Sequence, residues 1–147
     1  MSDTGRSEPR GQGEPTLERL REVAGEIGRE LGLRLILLVG SAAREDPGIA
    51  QDLDIAVLSR RRLDSVDLTN RLIRGLGIQE IDVADLGRAD PLFLMLAVRD
   101  GRLLYEADKG EFARFASLAA RRYADTRKFR DMERREIVDF IEGARGR

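Results

Sequence analysis

Two carboxylates spaced two residues apart, Asp52 and Asp54, stand at the head of an apolar run that continues to Leu58. An earlier apolar run, Leu35 to Val39, ends on Gly40-Ser41, and ten residues separate Ser41 from Asp52. In an extended chain the side chains at i and i+2 point to the same face, so both carboxylates address one site. Such a pair can hold one or two divalent cations through oxygen ligands. A Gly-Ser pair just beyond a strand can turn backbone N–H groups and a hydroxyl toward phosphate oxygens. Phosphate cradle and metal carboxylates together point to chemistry on a nucleoside triphosphate. A strand that starts after a solvated acidic turn would account for Asp52. It accounts poorly for Asp54, because Asp is depleted in strands and an unpaired carboxylate beside a core is costly.

Asp82 strengthens the reading. It lies in the alternating segment Ile78 to Leu86, on a face shared with Glu80 and Ala84 and opposite Ile81 and Val83. If the strands over 52–58 and 78–84 are neighbours, Asp82 converges with Asp52 and Asp54. Three carboxylates at one point repel unless cations neutralise them. The arrangement would form a two-metal site, with ions about 3.5–4 Å apart on the attacking and leaving oxygens. Glu80 and Asp85 compete for the third position; Asp85 points to the other face and Glu80 sits near the strand start.

The elements that must position these groups follow from periodicity and punctuation. Residues 1–15 are rich in Gly, Pro, Ser and charge and read as a disordered tail, which leaves 16–147 as one domain. Thr16 is a candidate N-cap for a helix with a Leu17–Leu31 stripe, stopped at Gly32. Leu33 to Val39 reads as a buried strand, followed by a helical turn over 41–45 and a turn at Asp46-Pro47-Gly48. A helix over 63–76, with Val66, Leu72, Ile73 and Leu76 on its stripe, precedes the strand that carries Asp82. Asp90 caps a helix with Pro91 at its first position, and Arg102 to Tyr105 forms a short strand. From Lys109 to Gly143 the pattern predicts one long helix or two joined ones. Its apolar positions run from Phe112 and Phe115 through Tyr123 and Met132 to Phe140 and Ile141; core is their default role, with a partner-docking surface at Met132 and Phe140 as the alternative.

Composition removes whole classes of chemistry. The chain has no Cys and no His, which excludes disulfides, thiol nucleophiles, imidazole zinc sites and His-based triads. Any general base is a carboxylate, Lys, Tyr or water. A formal net charge of −1 offers no global basic field for nucleic acid, so direct nucleic-acid binding is not expected. No apolar run approaches the ~18 residues of a membrane span and the N-terminus lacks a signal core, so a soluble, cytoplasmic protein is expected.

Gly40-Ser41, the ten-residue spacer and Asp52-x-Asp54 resemble the GSx10DxD signature of the DNA polymerase β-like nucleotidyltransferase superfamily. Asp82 occupies the place of that family's third carboxylate. The form Gly40-Ser41-x-Ala43-Arg44 is similar to the minimal nucleotidyltransferases (MNT). The segment Asp100 to Tyr105 and the C-terminal Arg122-Tyr123-x-Asp125 are similar to MntA-type antitoxins paired with HEPN ribonuclease toxins. The resemblance spans about 16–142, with departures at Gln51, where Ser is common, and Glu45, where Gly is common. It implies an α+β fold: a small mixed sheet with helices on one side and a C-terminal helix, within 109–143, closing it. It also implies site roles. Gly40 N–H and the Ser41 hydroxyl hold the triphosphate of ATP, Asp52 and Asp54 bridge two Mg2+ ions, and Asp82 binds the ion near the acceptor and can take its proton.

The function so implied is transfer of AMP from ATP to a hydroxyl, a tyrosine in this family, of a cognate HEPN toxin held in a hetero-oligomer. Two other classes stay open: an antitoxin that neutralises by contact alone, and a small-molecule (aminoglycoside-like) transferase. A polymerase is disfavoured by the absent template-binding domain. Arg44 reads equally as a phosphate contact or a structural ion-pair partner. Arg60, Arg61 and Arg62 read as a solvated loop before a nucleotide-steering patch, and Tyr123 as helix packing before an adenine contact.

Overall fold

The computed structural model of the chain describes residues 16–45, 52–78 and 80–145. The tail over 1–15, the turn at Asp46-Pro47-Gly48 and Gln51 lie outside the described residues. In chain order the elements are α1 (Leu17–Leu31), β1 (Leu33–Val39), α2 (Ser41–Arg44), β2 (Leu53–Ser59), α3 (Ser65–Leu76), β3 (Ile81–Asp85), α4 (Pro91–Asp100), β4 (Arg102–Glu106) and α5 (Glu111–Arg145).

Local chemistry sets most of these boundaries. The Thr16 hydroxyl accepts from Arg19 N at 3.1 Å and satisfies one free donor of α1. Asp64 does the same for Asp67 N on α3, and Asp90 for Phe93 N on α4 at 2.8 Å. Left-handed glycines, Gly32 and Gly77, end α1 and α3. The strand expected over 52–58 begins one residue later, at Leu53, so Asp52 sits on the approach rather than in the ladder. The strand expected over 78–86 is confined to Ile81–Asp85.

The four strands lie in the order β3-β2-β1-β4. β1 runs antiparallel to both β2 and β4, whereas β2 and β3 are parallel and joined through α3. The sheet is therefore mixed. Helices cover both of its faces. Ile36 and Leu38 of β1, with Leu53, Ile55 and Val57 of β2, pack against Leu20, Val23 and Ile27 of α1 and Leu68, Leu72 and Leu76 of α3. Leu35 and Leu37 of β1, with Ala56 and Leu58 of β2, pack against Leu94 and Ala97 of α4 and Phe115 and Ala119 of α5. Two-sided burial explains why β1 and β2 read as continuous apolar runs rather than alternating ones. Val66, placed on the α3 stripe by spacing alone, is exposed.

The C-terminal segment is one helix of 35 residues. At 1.5 Å per residue it is about 50 Å long, well beyond the reach of a sheet of four strands. Its first turns enter the core through Phe115 and Ala119. Farther along, Phe129, Met132, Ile137 and Phe140 are exposed by more than half. The expectation that the apolar positions of this helix are core holds for its first third and is corrected beyond it. Among the described residues no helix is long and apolar enough to cross a membrane.

The start of α5 is tied to β1 by the only buried charged residue among those described. Glu111, 4% exposed, accepts from Arg34 Nη2 at 2.6 Å and Nε at 3.0 Å. Those hydrogen bonds hold its carboxyl below the ordinary value of 4.5 against the opposing effect of burial. A depressed carboxyl contributes stability above its unfolded value that is lost as pH falls through the folded one. Urea denaturation of wild type and Glu111→Gln should therefore differ most above pH 4.5 and converge below it. A constant gap across that range would refute the ion-pair account.

Candidate active site

The end of β1 and the start of β2 meet at the residues singled out by type and spacing. Val39 pairs with Asp54 across the antiparallel ladder, so Gly40 lies directly beside the Asp54 carboxylate. Gly40 has φ 74° and ψ −158°, in a region open essentially to glycine alone. A β-carbon at this position would stand 2.5 Å from Asp54 Oδ2. The absent side chain brings main chain and carboxylate together. Ser41 begins the single turn of α2, and its carbonyl accepts from Glu45 N at 2.8 Å. Ala42 and Ala43 bury the inner side of that turn and Arg44 ends it, exposed.

Asp82 arrives from the other side. In the parallel ladder Asp54 pairs with Asp82, and residues paired in register project from the same face of a sheet. That face carries α4, whose Phe93, Leu96 and Ala97 supply the apolar wall of a cleft of about 500 Å³. Gly40, Arg44, Asp54 and Asp82 line it, with Arg99, Asp100 and Gly101 at its other edge. Ser41 and Asp52 are exposed and lie outside the lining residues. Asp85 is on the opposite face of β3, where its carboxylate accepts from Gly87 N at 2.9 Å. Glu80 is exposed before the strand, and its carbonyl accepts from Leu53 N. Neither Asp85 nor Glu80 joins the cleft.

The electrostatics of the site follow from this crowding. Burial pushes the Asp54 carboxyl above its usual value, and the charges of Asp82 and then Asp52 push it further. Asp52 therefore acts on the site without lining the cleft. Among the described residues, no three His, Cys, Asp or Glu side chains are gathered closely enough to hold a metal ion by themselves. A cage of that kind is the habit of Ca2+ rather than Mg2+. Mg2+ binds through one or two carboxylates and completes its shell with water and substrate phosphate oxygens. The paired Asp54 and Asp82, under mutual repulsion, fit that donor set in type and in charge.

Two further cleft residues, Arg99 and Asp100, lie outside the site residues expected from the sequence. Arg99 donates to both carboxylate oxygens of Asp100 at 2.9 Å. Those hydrogen bonds hold the Asp100 carboxyl below the usual range, and the charge of Arg44 adds to the effect. The cleft thus holds two cations, Arg44 and Arg99, against three carboxylates, Asp54, Asp82 and Asp100, and Arg99 is already paired with Asp100. Their pairing is not legible from Asp100-Gly101, which reads as a helix-ending turn. Only the return of α4 over the sheet brings it to α2.

Comparison with known proteins shows the family and the fold. The polymerase β nucleotidyltransferase family matches residues 24–110. The chain is 23% identical to the protein adenylyltransferase MntA of Aphanizomenon flos-aquae (strain 2012/KM1/D3), across 87% of this chain and 94% of that protein. A toxin–antitoxin crystal structure with AMP-PNP aligns with TM-score 0.59 and 23% identity, covering 86% of this chain and 98% of the other. A complex of tri-AMPylated Shewanella oneidensis HEPN toxin with its MNT antitoxin aligns with TM-score 0.56 and 24% identity, over 86% and 98% of the two chains. These structures share the fold.

Proposed function

This chain belongs to the polymerase β nucleotidyltransferase family, and we propose that it is a cytoplasmic antitoxin that transfers AMP from ATP to a hydroxyl of a HEPN-type toxin. The observation that carries the reading is the in-register pair Asp54 and Asp82 beside Gly40. The MntA relative, named a protein adenylyltransferase, and the tri-AMPylated HEPN toxin bound to an MNT antitoxin supply the acceptor class. The AMP-PNP complex of a related fold supports ATP as donor.

In this reading Gly40 N–H and the Ser41 hydroxyl receive the triphosphate, and Arg44 on the cleft lining balances phosphate charge, while Arg99 is held by Asp100. Asp54 and Asp82 would hold Mg2+, two ions in this reading, with the charge of Asp52 close by and the remaining positions left to water and phosphate oxygens. The metal would supply charge neutralisation during transfer. Asp82 takes the proton of the acceptor hydroxyl as its oxygen bonds to the α-phosphorus. The bond from that phosphorus to the β-phosphate bridging oxygen breaks, and pyrophosphate leaves. Phe93 and Leu96 keep the opposite wall apolar, which strengthens charge interactions across the cleft. The protein's contribution is mostly positioning and electrostatics, in keeping with a chain without His or Cys.

A second reading is neutralisation by contact alone. The exposed apolar side chains on the distal half of α5, Phe129 and Phe140 among them, favour it as a partner surface. Intact mass of a cognate HEPN protein, incubated with this chain, ATP and Mg2+, separates the two. Steps of one adenylate unit, absent with EDTA and with the double substitution Asp52→Ala and Asp54→Ala, are expected. An unmodified partner in a tight inactive complex would overturn the transferase reading. A partner that neither binds nor gains mass would favour a small-molecule acceptor.

A further inference from the structure

A second recess lies on the other face of β3 from the cleft. Val83 lies on the edge strand between them and lines both, while Asp82 belongs to the cleft and Asp85 to the recess. Three arginines border it: Arg61 and Arg62 from the β2–α3 loop, and Arg88 from the turn after β3. Ser59 and Ser65 add hydroxyls, and the volume is about 680 Å³. The ion pairs among the described residues use Arg19, Arg34, Arg60, Arg71, Arg99 and Arg114, and none of the three that border this recess. Asp85 is the one carboxylate on its lining, and that group already accepts from Gly87 N.

Three guanidinium groups and one carboxylate leave an excess of two positive charges in one recess of a chain whose formal net charge is −1. Arginine presents a planar fork of donors that matches phosphate oxygens in pairs. The cations come from two separate segments of the chain, the β2–α3 loop and the turn after β3, and line one recess, so one linear polyanion can meet both segments at once. The lining contains no aromatic side chain, so there is no platform on which a base could stack and a strand of nucleic acid is the weaker fit. We propose that this recess is a polyphosphate site, distinct from the catalytic cleft, that takes a chain of phosphates. Pyrophosphate and the phosphate tail of a nucleotide share that chemistry.

The full chain tests this by titration calorimetry in EDTA, where the acidic cleft repels polyanions and the basic recess attracts them. Tripolyphosphate, pyrophosphate, ATP and inorganic phosphate are the probes. One site per chain is expected, kept in the variant Asp52→Ala with Asp54→Ala. Each of Arg61→Ala, Arg62→Ala and Arg88→Ala should weaken it about tenfold, the loss of one charge-assisted contact. All three residues are exposed, so the variants should keep the wild-type melting midpoint. Equal affinity for pyrophosphate and ATP would assign recognition to the phosphates alone, and tighter ATP would add a nucleoside contact; both support a polyphosphate site. Inorganic phosphate binding as tightly as tripolyphosphate would reduce the recess to a single-oxyanion site and overturn the proposal. So would tighter binding of an oligoribonucleotide with the same number of phosphates, or affinity unchanged in the triple variant. None of these readouts depends on adenylate transfer, so the proposed function and this site can fail separately.

Discussion

Asp54→Asn is expected to lower adenylate transfer by about a thousandfold while raising the melting midpoint at neutral pH. The rate loss corresponds to several kcal/mol of charge stabilisation withdrawn from the transition state. The gain in stability follows from the direction of the Asp54 shift. Burial, Asp82 and Asp52 raise its carboxyl above the ordinary value of 3.8. A raised carboxyl favours folding while it is protonated, and that contribution is lost as pH rises through the folded value. The midpoints of wild type and variant should therefore separate as pH is raised from 3.8, with the variant higher. Mg2+ should raise the wild-type midpoint by mass action and the variant's by much less. A variant that melts lower than wild type at pH 7 would contradict the electrostatic account. One that retained transfer would remove Asp54 from the catalytic set.

Gly40→Ala should damage fold and site together. The backbone at φ 74° and ψ −158° costs about 1–3 kcal/mol for a residue with a side chain. The added carbon would also meet Asp54 Oδ2 at 2.5 Å, and relief requires either the carboxylate or the start of α2 to move. Urea denaturation should show a loss of about 1–3 kcal/mol, and transfer should fall by at least about a hundredfold, as misplacement near 1 Å costs. Comparison with Ser41→Ala, which introduces no such crowding, isolates the geometric effect. Wild-type stability in Gly40→Ala would mean that the turn relaxes freely and that glycine is not required there.

Residue types and their spacing are enough to point to the catalytic chemistry. Asp54 inside an apolar run is costly unless something uses it, and Gly40-Ser41 at a fixed distance names that use. The caps at Thr16 and Asp90, the glycine stops at Gly32 and Gly77 and the apolar strands are local signals, because each depends on neighbours within a few residues. The parallel pairing that sets Asp82 against Asp54 follows from the sequence only as a condition. It depends on α3 carrying the chain over the sheet and on two faces both finding cover. Arg99 and Asp100 became cleft residues for the same reason, since no spacing relates α4 to α2. The far half of α5 shows the opposite limit. Its Phe129, Met132 and Phe140 look like core by type, and only the finite width of four strands leaves them outside it.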